Sequence, residues 1–204
     1  MTAMSQLTEL AAEVSACTQC ILHKSRVKAV PGEGPENASI MFIGEGPGFN
    51  ENQQGRPFIG AAGHFLDELL HSIGLKRDQV YITNVVKCRP PGNRDPLPEE
   101  IEACRQYLDR QIALIKPKVI VTLGRFSMAR AFPNVKISQV HGQPRKVDGI
   151  VYVPMFHPAA ALHQPSLRKT VEEDFQKLPK ILAELEKLAE NDKPFEDAQQ
   201  LSMF

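Results

Sequence analysis

Cys17, Cys20, Cys88 and Cys104 are the only thiols in the chain. Cys17-Thr18-Gln19-Cys20 has the two-residue gap at which neighbouring thiolates share a metal or redox centre. In a reducing compartment, four soft ligands with no surplus fit one four-thiolate site better than two disulfides. Zinc and iron–sulfur both accept that donor set, and two core thiols beside a chance pair is the bland alternative. Cys88 closes a second stretch with chemical potential, Val80 to Pro91. It begins as a buried-strand pattern, sets Asn84 in its middle, and ends in Lys87-Cys88-Arg89-Pro90-Pro91. A buried amide at Asn84 must either be hydrogen-bonded, as in a loop cap, or be left for a ligand.

Other polar groups sit where a cleft would need them. Gly44-Glu45-Gly46-Pro47-Gly48 follows a short apolar run. It imitates a dinucleotide fingerprint, but the spacing is wrong and Pro47 removes a backbone donor; the P-loop lysine is absent too. Glu45 and Glu51 are candidates for acid/base or hydrogen-bonding work, with ordinary surface carboxylates as the alternative. Phe58, flanked by Pro57 and Gly60, is either a plug into the core or a platform for a flat ligand. His157-Pro158 ends another apolar run, so the imidazole can reach the mouth where open parallel sheets bind ligands. Beyond it, Leu162 suits a wedge, and Ser166, Arg168 and Lys169 suit phosphate contacts; a surface loop joining helices is the plainer reading.

The elements that must position these groups follow from hydrophobic spacing. Met4, Leu7, Leu10, Ala11 and Val14 predict a helix that delivers Cys17 and Cys20 at its end. Runs at 39–43, 80–86, 119–123 and 150–156 predict buried parallel strands. Helices are expected over 61–73, over 98–115 with Cys104 on the inner stripe, after Gly124 through Phe126, Met128 and Phe132, and over roughly 171–190. Pro179 is expected to bend or restart the last of these. Residues 49–60 read as a loop, and 134–149 as a hairpin or excursion. Alternation of strands and helices places the chain in the α/β class.

At 204 residues, with 42% hydrophobic and 24% charged side chains, the chain has the make-up of a globular domain. Residues 1–190 are expected to form it, with 191–204 a flexible tail. Formal charge is zero, but residues 172–204 carry nine acidic and four basic side chains, leaving twenty basic to fifteen acidic in 1–171. A positive face on that body is compatible with nucleic acid. No apolar run approaches the roughly 18 residues of a membrane span, and the N-terminus lacks a leader pattern. A cytoplasmic monomer with no membrane partner is expected.

Taken together, the motifs resemble the iron–sulfur uracil-DNA glycosylases called family 4. The matching pieces are Cys17-x₂-Cys20, Gly44 to Gly48, Gly55-Arg56-Pro57-Phe58, Thr83 to Pro91, Cys104 and His157-Pro158-Ala159, in order over about residues 5–190. The resemblance implies a three-layer α/β/α sandwich with a short central parallel sheet. It also implies a [4Fe-4S] cluster on Cys17, Cys20, Cys88 and Cys104, bracing the fold. The implied reaction is release of uracil from single- or double-stranded DNA, leaving an abasic site in a nucleoid-associated repair step. Phe58 would lie on the base face, Asn84 on the pairing edge, Glu51 near C5, and His157 toward O2. Glu45, with Gly46 beside it, would orient water, although the best-known uracil glycosylases carry aspartate in this motif. Between Cys88 and Cys104 there is no basic insertion ending in histidine, which separates the chain from a branch that traps the sugar covalently. A non-catalytic iron–sulfur damage-binding module and a glycosylase of broader deaminated-base range are the competing readings.

The tail Gln200-Leu201-Ser202-Met203-Phe204 resembles the motif by which bacterial proteins bind the DNA sliding clamp, with Met203 in place of a leucine. Removal of these five residues is expected to weaken binding to the clamp while leaving hydrolysis of a free oligonucleotide nearly unchanged. Unaltered clamp affinity in a pull-down titration rejects the assignment.

Overall fold

The computed structural model describes residues 5–191. Its elements are α1 (Gln6–Ala16), β1 (Ile40–Gly44), α2 (Phe49–Gln54), α3 (Ala61–Ser72), β2 (Tyr81–Asn84), α4 (Pro98–Ile115), β3 (Val119–Leu123), α5 (Arg125–Met128), α6 (Ile137–Val140), β4 (Arg145–Val147), β5 (Ile150–Met155), α7 (Pro158–His163) and α8 (Arg168–Asn191). The strands run in the order β2-β1-β3-β5-β4. All neighbours are parallel except the β4–β5 hairpin at the edge. Helices cover both faces, as the α/β expectation required.

Alternation along each strand builds two cores. Met41, Ile43, Tyr81, Ile120 and Tyr152 face one way, with Leu10, Val14, Cys104, Tyr107, Leu108 and Ile112 from α1 and α4. Ile40, Phe42, Ile82, Val119, Val121, Val151 and Val153 face the other, with Phe65, Leu66, Leu69 and Leu70 of α3 and Val171, Phe175 and Leu178 of α8. Burial on both faces explains why β1 is a continuous apolar run and why β3 is interrupted only by Thr122. The Ser5 side chain caps α1 by accepting from Thr8 N at 3.2 Å, so the helix begins one turn before its first buried residue, Leu10.

Several boundaries differ from the sequence reading. Residues 49–60 are not all loop: α2 occupies 49–54, starting after Gly48 and ending at Gly55, whose φ of 77° closes the helix in the left-handed region. The ladder of β2 stops at Asn84, and Val85 and Val86 turn toward Cys88 while donating to Gly44 O and Glu45 O. The helix after Gly124 ends at Met128, four residues before Phe132, whose helical backbone the following Pro133 disfavours. The final helix begins at Arg168 and runs unbroken through Pro179. Its buried residues Phe175, Leu178 and Ile181 flank the proline, so packing holds the axis where one backbone donor is missing. Among the described residues, no helix is long and apolar enough to cross a membrane.

Gly63 of α3 packs on the main chain of Phe58 so closely that an added Cβ would overlap the Phe58 carbonyl. Gly63→Ala is expected to destabilise the fold by about 2 kcal/mol, because backbone on both sides must give way. The midpoint of urea unfolding measures this.

Candidate active-site cleft and cysteine pocket

The carboxyl ends of the parallel strands open on one cleft of about 700 Å³. Glu45, Gly46 and Pro47 reach it from β1, Asn84 from β2, Gly124 and Arg125 from β3, and Phe156 and His157 from β5. The connection after β1 runs to β2 on one side and that after β3 to β4 and β5 on the other, which opens a crevice between β1 and β3 where open α/β sheets hold ligands.

Three side chains form its floor. Phe58 is buried, yet its ring stacks on His157 with centroids 5.4 Å apart and planes 24° from parallel. Phe58 fills the α3-side core and also lines the cleft. Its φ of 50° is a strained value for an aromatic residue. Arg77 braces that geometry: it donates to Phe58 O at 3.0 Å and to Pro57 O, and pairs with Asp67 at 3.1 Å and Glu33 at 2.5 Å. Asn84 is 1% exposed, and its Oδ1 has no hydrogen-bond partner. Gly44 makes room for it: a Cβ there would collide with Asn84 Oδ1 and lie 2.6 Å from the Phe58 ring.

His157 caps α7, with Nδ1 accepting from Ala159 N at 3.1 Å. An accepting Nδ1 leaves the ring proton on Nε2, so the neutral imidazole still offers one N–H. Burial drives its pKa down to about 4, opposed weakly by Glu51. His157 is therefore neutral at pH 7.

The two carboxylates are anchored to backbone. Glu51 Oε1 accepts from Ile59 N and Gly60 N, both at 2.9 Å, at the start of α3. Glu45 Oε1 accepts from Arg125 N at 3.1 Å against Gly124, where no side chain would fit. Burial raises the Glu45 pKa, with the Arg125 charge opposing. Each retains a position on the cleft wall.

On the α1–α4 side, all four cysteines line one pocket with Val86, Lys87, Arg26, Glu100 and Tyr107. Cys17 and Cys20 come from the end of α1, Cys88 from the turn after β2, and Cys104 from the inner face of α4. None forms a disulfide. Among the described residues, no three Cys, His, Asp or Glu groups converge closely enough to hold a single ion. Arg26 donates to Cys88 Sγ and Lys87 N to Cys104 Sγ, each at 3.3 Å. Burial raises the Cys20 and Cys88 thiols and pushes Cys104 up to about 11, so thiolates here require a compensating cation.

None of the four residues expected to meet DNA lines the cleft, although His163 beside Leu162 does. Leu162 is exposed near the end of α7, whose first turn lines the cleft, and Ser166 is exposed in the Pro165–Leu167 turn. Arg168 pairs with Glu68 at 3.0 Å and Glu172 at 2.9 Å and lies over the Phe65 ring. Lys169 stands 3.8 Å from Glu173. The clamp-like residues 200–204 lie outside the described residues.

Sequence reasoning overlooked Arg77 and Lys87. Lys87 is 1% exposed, and its Nζ donates to Thr83 Oγ1 at 2.6 Å, Asn84 O at 2.8 Å and Gln111 Oε1 at 2.7 Å. A lysine between Val86 and Cys88 in an otherwise buried run was the available signal. Arg77 gave none, for its partners Glu33, Pro57, Phe58 and Asp67 are distant in sequence. Phe49, exposed at the cleft mouth with the Arg89 guanidinium 5.2 Å from its ring, was also passed over.

A doubly wound α/β sheet with an amide, an imidazole and an aromatic ring converging at its carboxyl edge defines a protein that holds a small planar polar group. Residues 31–186 match the model of the uracil DNA glycosylase superfamily. The chain is 51% identical to a type-4 uracil-DNA glycosylase of Sulfurisphaera tokodaii, over 87% of this chain and 86% of that one. It is 46% identical to type-4 enzymes of Archaeoglobus fulgidus, over 87% and 94% of the two chains, and of Thermotoga maritima, over 84% and 93%. The chain belongs to the uracil DNA glycosylase superfamily, among its type-4 members.

The His157 pKa has a consequence for stability. The folded value near 4 lies below the unfolded value near 6.5, so between them the unfolded chain binds the extra proton. Stability from this group is full above pH 6.5 and is lost as pH falls toward 4, by about 3 kcal/mol at most. His157→Gln is expected to flatten that part of the profile, read from urea midpoints at pH 7 and pH 4.5.

Proposed function

We propose that the protein hydrolyses the N-glycosidic bond joining uracil to deoxyribose in DNA, releasing uracil and leaving an abasic site. The observation that carries this reading is the unpartnered Asn84 Oδ1, buried beside the Phe58–His157 stack at the edge of the cleft. Uracil presents an N3–H and an O4 on its pairing edge. Asn84 Oδ1 accepts the first, and the amide nitrogen is the matching donor for the second; cytosine reverses that pattern. Thymine shares the edge, so its exclusion falls to Glu51 and Gly48 around C5.

In the reaction, the C1′–N1 bond breaks with its electron pair moving onto uracil, where charge spreads to O2. His157 Nε2–H faces that oxygen. A neutral imidazole donor strengthens its bond as charge grows, which lowers the barrier without carrying a net charge into the ground state. Water adds to C1′ of the cationic sugar, and its released proton balances the anion of uracil. Glu45, held by Arg125 N with Gly46 beside it, orients that water. The base must leave the stack to enter, so single-stranded and U:G substrates cost less extrusion energy than U:A.

Cys17, Cys20, Cys88 and Cys104 would hold a [4Fe-4S] cluster. Four soft donors from three segments line one pocket, and the resemblance to the iron–sulfur family is what favours the cluster over zinc. Bound there, the cluster supplies a covalent tie between α1, the loop after β2 and α4. The remaining proposals are that Leu162 wedges the stack, that Ser166, Arg168 and Lys169 meet phosphate, and that residues 200–204 bind the clamp. We assign the protein to the cytoplasm, at the nucleoid, as a monomer with residues 1–190 forming its domain.

Incubation with matched single-stranded, U:G, U:A and T:G DNA tests the reaction. Free uracil and abasic product are expected from the first three, and no release from any uracil substrate overturns the proposal. Asn84→Ala and His157→Ala are expected to lower kcat by about 10²–10³-fold each. Glu51→Ala is expected to raise thymine release from T:G relative to uracil release. Iron, acid-labile sulfide and visible absorption separate the cluster from zinc.

A further inference from the structure

Lys87 spends its whole ammonium on protein acceptors. Thr83 gives its own hydroxyl proton to Pro31 O at 2.9 Å, so its oxygen is free to accept from Lys87. Gln111 uses its Nε2 on Pro31 O at 2.7 Å and Tyr81 OH at 3.1 Å, which turns Oε1 toward Lys87. The third acceptor is the main-chain carbonyl of Asn84 itself. Three donations define the protonated form, and charge-assisted bonds are about twice as strong as neutral ones.

The main chain of Lys87 is fixed as well. Its N–H donates to Cys104 Sγ, and its carbonyl accepts from Val30 N at 2.7 Å. Residues 84–87 thus form a closed ring from the Asn84 carbonyl to the Lys87 ammonium, with the cysteine pocket on the outer side. Asn84 Oδ1 receives none of these bonds. Its side chain and carbonyl leave the same Cα, so clamping the peptide that follows Asn84 sets the direction in which the amide points.

We propose that Lys87 is a positioning residue for uracil recognition, holding the Asn84 backbone so that the unpartnered amide meets the pairing edge of the base. The inference rests on the function proposed above. Lys87 does not line the cleft, so it touches no substrate and acts only through Asn84.

The test uses the iron-loaded full chain. Lys87→Met keeps the length and volume of the side chain and removes its donors. Iron content and visible absorption are expected to stay close to wild type, while the urea midpoint falls because Thr83 Oγ1, Asn84 O and Gln111 Oε1 each lose a buried donor. The kcat for single-stranded DNA is expected to fall about 10–100-fold with KM for DNA unchanged, because a small misplacement of a reading group costs on this scale. Affinity for free uracil, measured by equilibrium dialysis, falls in parallel. Thr83→Val, which removes one acceptor and preserves strand shape, lowers both quantities by a smaller factor and carries the test should Lys87→Met fail to fold. Wild-type kcat and uracil affinity in a folded, iron-loaded variant overturn the proposal. A rate loss that disappears when expressed per iron-loaded chain overturns it also. Absence of uracil release by the wild type overturns the proposed function together with this role, whereas release by the wild type with unaltered variants overturns the Lys87 role alone.

Discussion

An amide oxygen buried without a hydrogen-bond partner costs about 1–3 kcal/mol, and the packing around Asn84 keeps it in that state. Any neighbouring donor would satisfy the oxygen and close the site, and none is placed there. Gly44 withholds a side chain on one side. Phe58 presents a ring, and its stack with His157 occupies the imidazole face. His157 commits Nδ1 to Ala159 N, away from the amide. The charged donor nearest in sequence, Lys87, is diverted to the backbone carbonyl of Asn84 and to Thr83 and Gln111. A ligand with the right edge recovers the whole penalty, whereas one with the wrong edge leaves it standing, which is why such a site discriminates more sharply than an apolar pocket.

The legible part of this arrangement was the part set by local pattern. Apolar runs announced β1 and β3, and a polar residue inside the next run identified Asn84 as buried with two possible fates. His157 followed from its place at the end of a strand, since ligand sites of parallel sheets lie there. The cysteine set was visible as four ligands without surplus, although composition left zinc and iron–sulfur level. The resemblance of ordered motifs, and then family membership, separated them as far as a proposal.

The illegible part depended on long-range partners. Glu45 and Glu51 read as acid/base or hydrogen-bonding candidates with surface carboxylates as the alternative, because their partners are backbone N–H groups of Arg125, Ile59 and Gly60, which periodicity cannot show. Arg168 also pairs with Glu68, a partner that only the packing of α3 against α8 brings to it. Helix α2 was taken for loop since six residues are too few to display a 3.6-residue period. Pro179 reads as a bend or restart of α8, but tertiary burial on both sides outweighs the lost donor and the helix runs through it.

The cysteine pocket and the cleft share more than β2. Glu100, fully buried, lines the pocket, and its carboxylate takes both terminal nitrogens of Arg94, at 2.8 and 2.6 Å, and Leu97 N at 2.8 Å. Arg94 in turn lines the cleft, as do Pro90, Asn93, Asp95 and Pro96. The wall formed by residues 90–96 is therefore a loop whose two ends carry Cys88 and Cys104. A cluster held by those thiols would close the loop and remove freedom from the unfolded chain and from the wall alike. Arg125 joins the same wall through Asp95. Arg94 and Arg125 on this wall are paired to carboxylates, whereas Arg89, over Phe49 at the cleft mouth, bonds the neutral Asn93 amide and keeps its charge. Discrimination then lies with the extruded base, which the amide, the ring and the imidazole meet, while contacts to phosphate position the strand without reading it.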